Sequence, residues 1–72
     1  MDVNEQRRAF GLAVRAVRES LALTQEALAS AAALSRSYIS CLEAGRENPT
    51  LSTQCAIAQA LGLSLVDLYR AT

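Results

Sequence analysis

Seventy-two residues allow one domain, and a chain of this length buries only about 60% of its unfolded surface, so its core is small. Half of the residues are apolar (51%) and 19% are charged, a globular composition, and the absence of His excludes Ser-His-Asp and Cys-His nucleophile systems and any His-containing metal site. Seven Arg balance seven Asp plus Glu, so any attraction to nucleic acid must come from where the arginines gather on the folded surface.

Helical stretches joined by short turns account for nearly the whole chain. The first runs from about Asn4 to Ser20. Phe10, Val14, Val17 and Leu21 recur in it at spacings of four, three and four and form one inward stripe, while Leu12 falls off the stripe as an exposed apolar residue. Asp2 with Glu5 three residues on reads as a capping box, and Asn4 is an equally good cap. Thr24 caps a second helix that ends near Ala31 or Ala32, and Glu26 in its first turn suits the positive end of the helix dipole. Ser35 caps the third helix, Arg36 to about Ala44, and Gly45 supplies its left-handed end. The longest loop is Gly45-Arg46-Glu47-Asn48-Pro49-Thr50, where Asn-Pro marks a turn. A fourth helix runs from about Ser52 to Leu61 and stops at Gly62; Cys55 on it is expected in or near the core. Ser64 caps a short fifth helix, Leu65 to about Arg70.

Ala and Leu dominate and β-branched residues are scattered, so the chain reads as all-α. Its two cysteines, Cys41 and Cys55, cannot hold zinc alone and are too few to staple a secreted domain; they fit a reducing, cytoplasmic setting. No apolar run reaches about 18 residues, so no membrane span is expected, and no signal peptide is evident. No metal, cofactor or small-molecule ligand is implied. Nor is an enzyme expected from a chain without His, Lys or a carboxylate pair set in a pocket.

The second and third helices are both short and nearly abut. Two short helices crossing steeply over a joint of about three residues have helix-turn-helix geometry, here at about 25–44 of a single domain spanning 1–72. Leu28, Leu34, Ile39 and Leu42 fall at spacings that pack both helices on one core, and Ala29 is small where the two touch. Arg36, Ser37, Ser40 and Cys41 face the other way.

Residues 10–69 resemble the lambda-repressor-like, or Xre-type, helix-turn-helix domain. The resemblance is carried by Phe10-Gly11 with Arg15 and Arg18, by Leu23-Thr24-Gln25-Glu26-Ala27-Leu28-Ala29, and by Leu34-Ser35-Arg36-Ser37-Tyr38-Ile39-Ser40. It continues through Leu42-Glu43-Ala44-Gly45-Arg46, Asn48-Pro49-Thr50-Leu51 and Ile57-Ala58-Gln59-Ala60-Leu61-Gly62-Leu63-Ser64-Leu65, each block at the right distance from the next. Ala22 and Ala33 stand where the family usually has Gly; if both keep a left-handed backbone, each costs about 1–2 kcal/mol. Gln54 stands where the family usually has an apolar residue, which suggests a wetter neighbourhood or a polar contact across an interface.

The resemblance implies a compact five-helix fold and a transcriptional regulator that binds double-stranded DNA sequence-specifically. In that arrangement the third helix enters a major groove about 12 Å wide, and its N-terminal end meets the base edges. Arg36 is then placed to fork onto guanine, Ser37 and Ser40 to donate or accept, and Cys41 to sit as a small side chain near a thymine methyl. Gln25 becomes a phosphate clamp, with Thr24, Ser35, Tyr38 and Arg46 as further phosphate contacts. Arg18 and Glu43 become an ion pair at the base of the recognition helix. Plainer readings stand beside these: Arg36 as a solvated charge, Ser35 as a cap with or without DNA, Tyr38 as packing on the first helix, and Arg18–Glu43 as an exposed pair worth under about 1 kcal/mol.

One recognition helix reads few base pairs, so a homodimer on a palindromic operator is expected, its two helices about 34 Å apart. Leu63, Leu65, Val66, Leu68 and Tyr69 exceed what a helix of about six residues can bury against its own domain, and they form the expected interface. Size likens the chain to controller proteins of restriction-modification systems and to small phage repressors. Two other classes stay open: an antitoxin-like or other partner-binding module, and the DNA-binding fragment of a larger regulator. Met1 with its nearby cap fits a native start, and Ala71-Thr72 fits either a natural end or a cut within a longer chain.

Overall fold

A computed structural model describes residues 2–71. It contains α1 (Val3–Ser20), α2 (Gln25–Ala31), α3 (Arg36–Glu43), α4 (Leu51–Ala60) and α5 (Leu65–Arg70), and no strand among the described residues. Every helix starts with the same device: a polar residue in extended backbone whose side-chain oxygen accepts an N–H three residues on, satisfying one orphan donor of the first turn. Glu5 N–H donates to Asp2 Oδ1 at 2.8 Å, Ala27 N–H to Thr24 Oγ1 at 3.0 Å and Tyr38 N–H to Ser35 Oγ at 3.0 Å. Thr53 N–H donates to Thr50 Oγ1 at 3.2 Å and Asp67 N–H to Ser64 Oγ at 3.1 Å. Asp2, rather than Asn4, therefore caps α1, and α4 begins at Leu51, one residue before the expected start, because Thr50 is its cap.

The helix ends repeat as well. At α1, α2, α3 and α4 the chain leaves through a Schellman motif, in which an N–H beyond the cap reaches back to a carbonyl of the last turn. These bonds are Leu23 N–H to Arg18 O (3.0 Å), Leu34 N–H to Ala29 O (2.8 Å), Arg46 N–H to Cys41 O (2.9 Å) and Leu63 N–H to Ala58 O (2.9 Å). The residue before each donor is left-handed: Ala22 and Ala33 at φ 57°, Gly45 at φ 77° and Gly62 at φ 75°. Both alanines thus keep the backbone that glycine would adopt without strain, and α2 is bracketed by them.

All five helices feed one core: Phe10, Ala13 and Val14 from α1, Leu28 and Ala29 from α2, Ile39 and Leu42 from α3, Ile57 and Ala58 from α4, and Leu68 from α5. α3 packs on both α1 and α2, and α5 on α1 and α4. At Gly11 the backbone of α1 lies close against the end of α3. A Cβ there would lie 2.4 Å from Leu42 O and 2.8 Å from Glu43 O, so no larger residue fits without moving backbone.

Three expectations are corrected. Leu21 does not complete the α1 stripe; as the C-cap residue it sits where the chain turns away, and it is 50% exposed. Cys55 is exposed, because α4 turns Ile57 and Ala58 inward and that face carries Gln54, at i−3 and i−4, rather than Cys55. Leu68 is fully buried among the core residues and is unavailable to a partner chain. Gln54 spends its polar ends inside the domain: Nε2 donates to Pro49 O at 3.1 Å and Oε1 accepts from the Tyr69 hydroxyl. The Tyr69 ring in turn meets Phe10 edge-on, with centroids 6.0 Å apart.

Candidate nucleic-acid interface

The candidate site lies on α3 and the parts of α1 and α2 that hold it. Two carbonyls at the end of α3 press against Gly11, and beside that contact the side chain of Glu43 is closed off by Arg18. Arg18 Nε donates to Glu43 Oε2 at 2.7 Å and Arg18 Nη2 to Glu43 Oε1 at 3.0 Å, a forked pair with side chains only 11% and 4% exposed. Arg18 Nη1 donates to Leu23 O at 2.7 Å, tying the α1–α2 joint to the same group. The bond to Glu43 leads the causes that hold the Arg18 guanidinium above the ordinary arginine range; burial acts against it, and the charges of Glu43 and Glu19 add to it. The expected ion pair is therefore present and buried, and the exposed alternative is excluded.

Gln25, the first residue of α2, joins this cluster: its Nε2 donates to Glu43 Oε1 at 3.1 Å. Sequence alone did not suggest this bond. Gln25 and Glu43 are 18 residues apart, and only the α2–α3 packing brings them together. Gly11 was legible only as part of a resemblance; its reason is the approach of the α3 carbonyls.

The other end of α3 is open. Ser35 and Thr24 are exposed caps, and Arg36, Ser37 and Ser40 are exposed on one side of the helix while Ile39 and Leu42 are buried on the other. No described residue bonds to the Arg36 guanidinium or pairs with its charge. Cys41 is half-buried, and Arg46 is exposed just past the left-handed Gly45. Tyr38 is half-buried against the core, and burial, with the charge of Glu47 second, raises its phenol above the ordinary range. Of the expected dimer residues, Val66 (59%) and Tyr69 (46%) are exposed, whereas Leu63 and Leu65 are half-buried on the core.

A protein-family model described as a helix-turn-helix domain matches residues 9–71. An uncharacterized HTH-type transcriptional regulator of Sinorhizobium fredii, y4dJ, is 40% identical over 68 residues, covering 94% of this chain and 88% of its own. The immunity repressor protein of Bacillus phage phi105 is 47% identical over 55 residues, 76% of this chain and 38% of that protein. Among solved structures, the restriction-modification controller protein C.AhdI of Aeromonas hydrophila superposes with a TM-score of 0.86 at 33% identity, covering 89% of this chain and 97% of its own. The clp gene regulator ClgR of Corynebacterium glutamicum superposes with a TM-score of 0.87 at 34% identity, covering 90% of this chain and 69% of its own.

Proposed function

The chain belongs to the helix-turn-helix domain family and is a DNA-binding transcriptional regulator, and we propose that it reads a palindromic operator as a homodimer with α3 in the major groove. The observation that carries this reading is the open N-terminal end of α3. A guanidinium without an internal partner, at the first residue of a helix whose other face is buried, is available to fork onto a guanine edge. Ser37, Ser40 and Cys41 are the neighbouring base contacts. Thr24, Gln25, Ser35, Tyr38 and Arg46 take the flanking phosphates, where capped helix starts favour anions.

The homodimer rests on the exposed Val66 and Tyr69 of α5, with Leu63 and Leu65 at the border and Leu68 left to the core. Half-sites one helical turn apart would follow from a twofold axis there. The test is selection of bound duplexes from a random pool followed by footprinting. Two inverted half-sites about 34 Å apart support the reading. A pool that never converges overturns it. Sedimentation equilibrium of DNA-free protein at micromolar concentration examines the dimer separately, and a 7.7 kDa species throughout that range would remove a preformed one.

A further inference from the structure

The start of α1, the loop after α3, α4 and the end of α5 meet around a cleft of about 180 Å³. Val3, Phe10, Pro49 and the Tyr69 ring make most of its wall apolar. That wall is braced from within. Gln54 Nε2 donates to Pro49 O at 3.1 Å, Gln54 Oε1 accepts from the Tyr69 hydroxyl, and the Tyr69 ring meets Phe10 edge-on. Loop, α4, α5 and α1 are thereby tied in turn. The cleft is shaped before anything enters it, and little side-chain ordering remains to be done on binding.

One group in the wall is unspent. Arg7 lines the cleft, and its Nε–H is shut off from water with no hydrogen-bond partner among the described residues. A buried donor without an acceptor is rare in a folded protein, because it has given up water and gained nothing in return. Of the rest of the guanidinium only Nη1 is engaged, with Asn4 Oδ1 at a long 3.4 Å, and no carboxylate of the described residues pairs with its charge. Gln6 and Asn48, exposed at the same rim, add amide donors that no described residue takes. Donors and a positive charge beside an apolar wall suit an occupant that is anionic at one end and apolar at the other. A carboxylate matches the guanidinium fork, and a small turn of the Arg7 side chain would bring Nε and Nη2 onto its two oxygens. Volume sets the size: at about 30 Å³ per water molecule the cleft has room for about six, enough for one ring or a short branched chain and too little for a peptide segment.

We propose that this cleft binds a small organic acid, a single ring or short branched chain ending in a carboxylate, with Arg7 as the anchor of the anion and Phe10, Pro49 and Tyr69 around the apolar body. The site shares no residue with α3 and does not depend on the DNA reading. Benzoate is the probe, titrated into the isotope-labelled full chain at fixed ionic strength and followed by the backbone amide resonances and that of Arg7 Nε–H. Saturable shifts confined to the cleft are expected, with a Kd on the order of 1 mM. Benzyl alcohol keeps the ring and lacks the charge, and should bind at least about tenfold more weakly. Arg7→Gln is expected to weaken benzoate by at least about tenfold, and Arg7→Lys to recover part of the loss, since an ammonium keeps the charge but not the fork. Val3→Asp places a carboxylate one turn before Arg7 on α1, where it competes for the guanidinium and should weaken benzoate several-fold. Resonances unchanged away from the cleft show that each variant is folded. Shifts that stay linear well past the expected Kd, benzyl alcohol bound as tightly as benzoate, or an Arg7→Gln protein with the parent affinity would each overturn the site, and none of these results touches the α3 reading.

Discussion

The two ends of α3 are built in opposite ways. At its C-terminal end the Glu43 side chain is 4% exposed and accepts three hydrogen bonds, and the last carbonyls lie against Gly11 with no room for a methyl group. At its N-terminal end Ser35, Arg36 and Ser37 are exposed, and Arg36 has no partner among the described residues. A carboxylate at a helix C-terminus opposes the helix dipole, so Glu43 is tolerable there only because Arg18 is forked onto it. One end thus fixes the pose of the helix, and the other leaves its donors unspent. Stability and recognition are separated along eight residues of one element.

If that separation is real, variants at the two ends should fail in different assays. The largest stability loss is expected from Glu43→Gln, which strands the buried Arg18 charge: about 3–5 kcal/mol in denaturant melts. A loss under about 1 kcal/mol would mean the pair behaves like a surface one. Gly11→Ala comes next, because the added methyl meets the α3 carbonyls; about 1–3 kcal/mol of destabilisation is expected despite the better helix propensity of Ala. A neutral result would show that α1 can back away from α3 freely.

Smaller effects sharpen the comparison. Ala22→Gly and Ala33→Gly relieve the left-handed backbone at the two ends of the α2 unit, and each is expected to stabilise by about 1 kcal/mol, the strain removed exceeding the added chain entropy. The double variant should gain nearly the sum, since the two alanines lie at opposite ends of α2. Smallest of all is Arg15→Ala. Its pair with Glu19 is exposed on both sides, so thermal melts should move by no more than about 0.5 kcal/mol.

Much of this was legible in the sequence, for local reasons. Caps and helix ends are set by residues three to five apart, so Thr24, Ser35, Ser64, Gly45 and Gly62 marked their boundaries correctly. The family pattern located Arg18 with Glu43 and marked Ala22 and Ala33 as alanines at usual glycine positions, but only the backbone, at φ 57° in both, shows that they accept the left-handed strain rather than take another conformation. What stayed hidden depends on helix rotation and on packing between distant segments. Leu68 was expected at an interface because counting apolar residues on α5 does not say which one the core takes. Cys55 faces outward because a short rotation of α4 decides which neighbour turns in, Gln54 finds its polar partners inside the domain rather than across an interface, and the Gln25–Glu43 bond requires the α2–α3 crossing itself.

The separation of pose from readout is tested most directly at Arg36. Arg36→Ala should melt within about 0.5 kcal/mol of the parent chain, as a surface substitution does. On the selected operator it should bind about 1–3 kcal/mol more weakly in a mobility-shift series and lose preference at one base pair of each half-site. An Arg36→Ala protein that keeps both its affinity and its base preference would contradict the account.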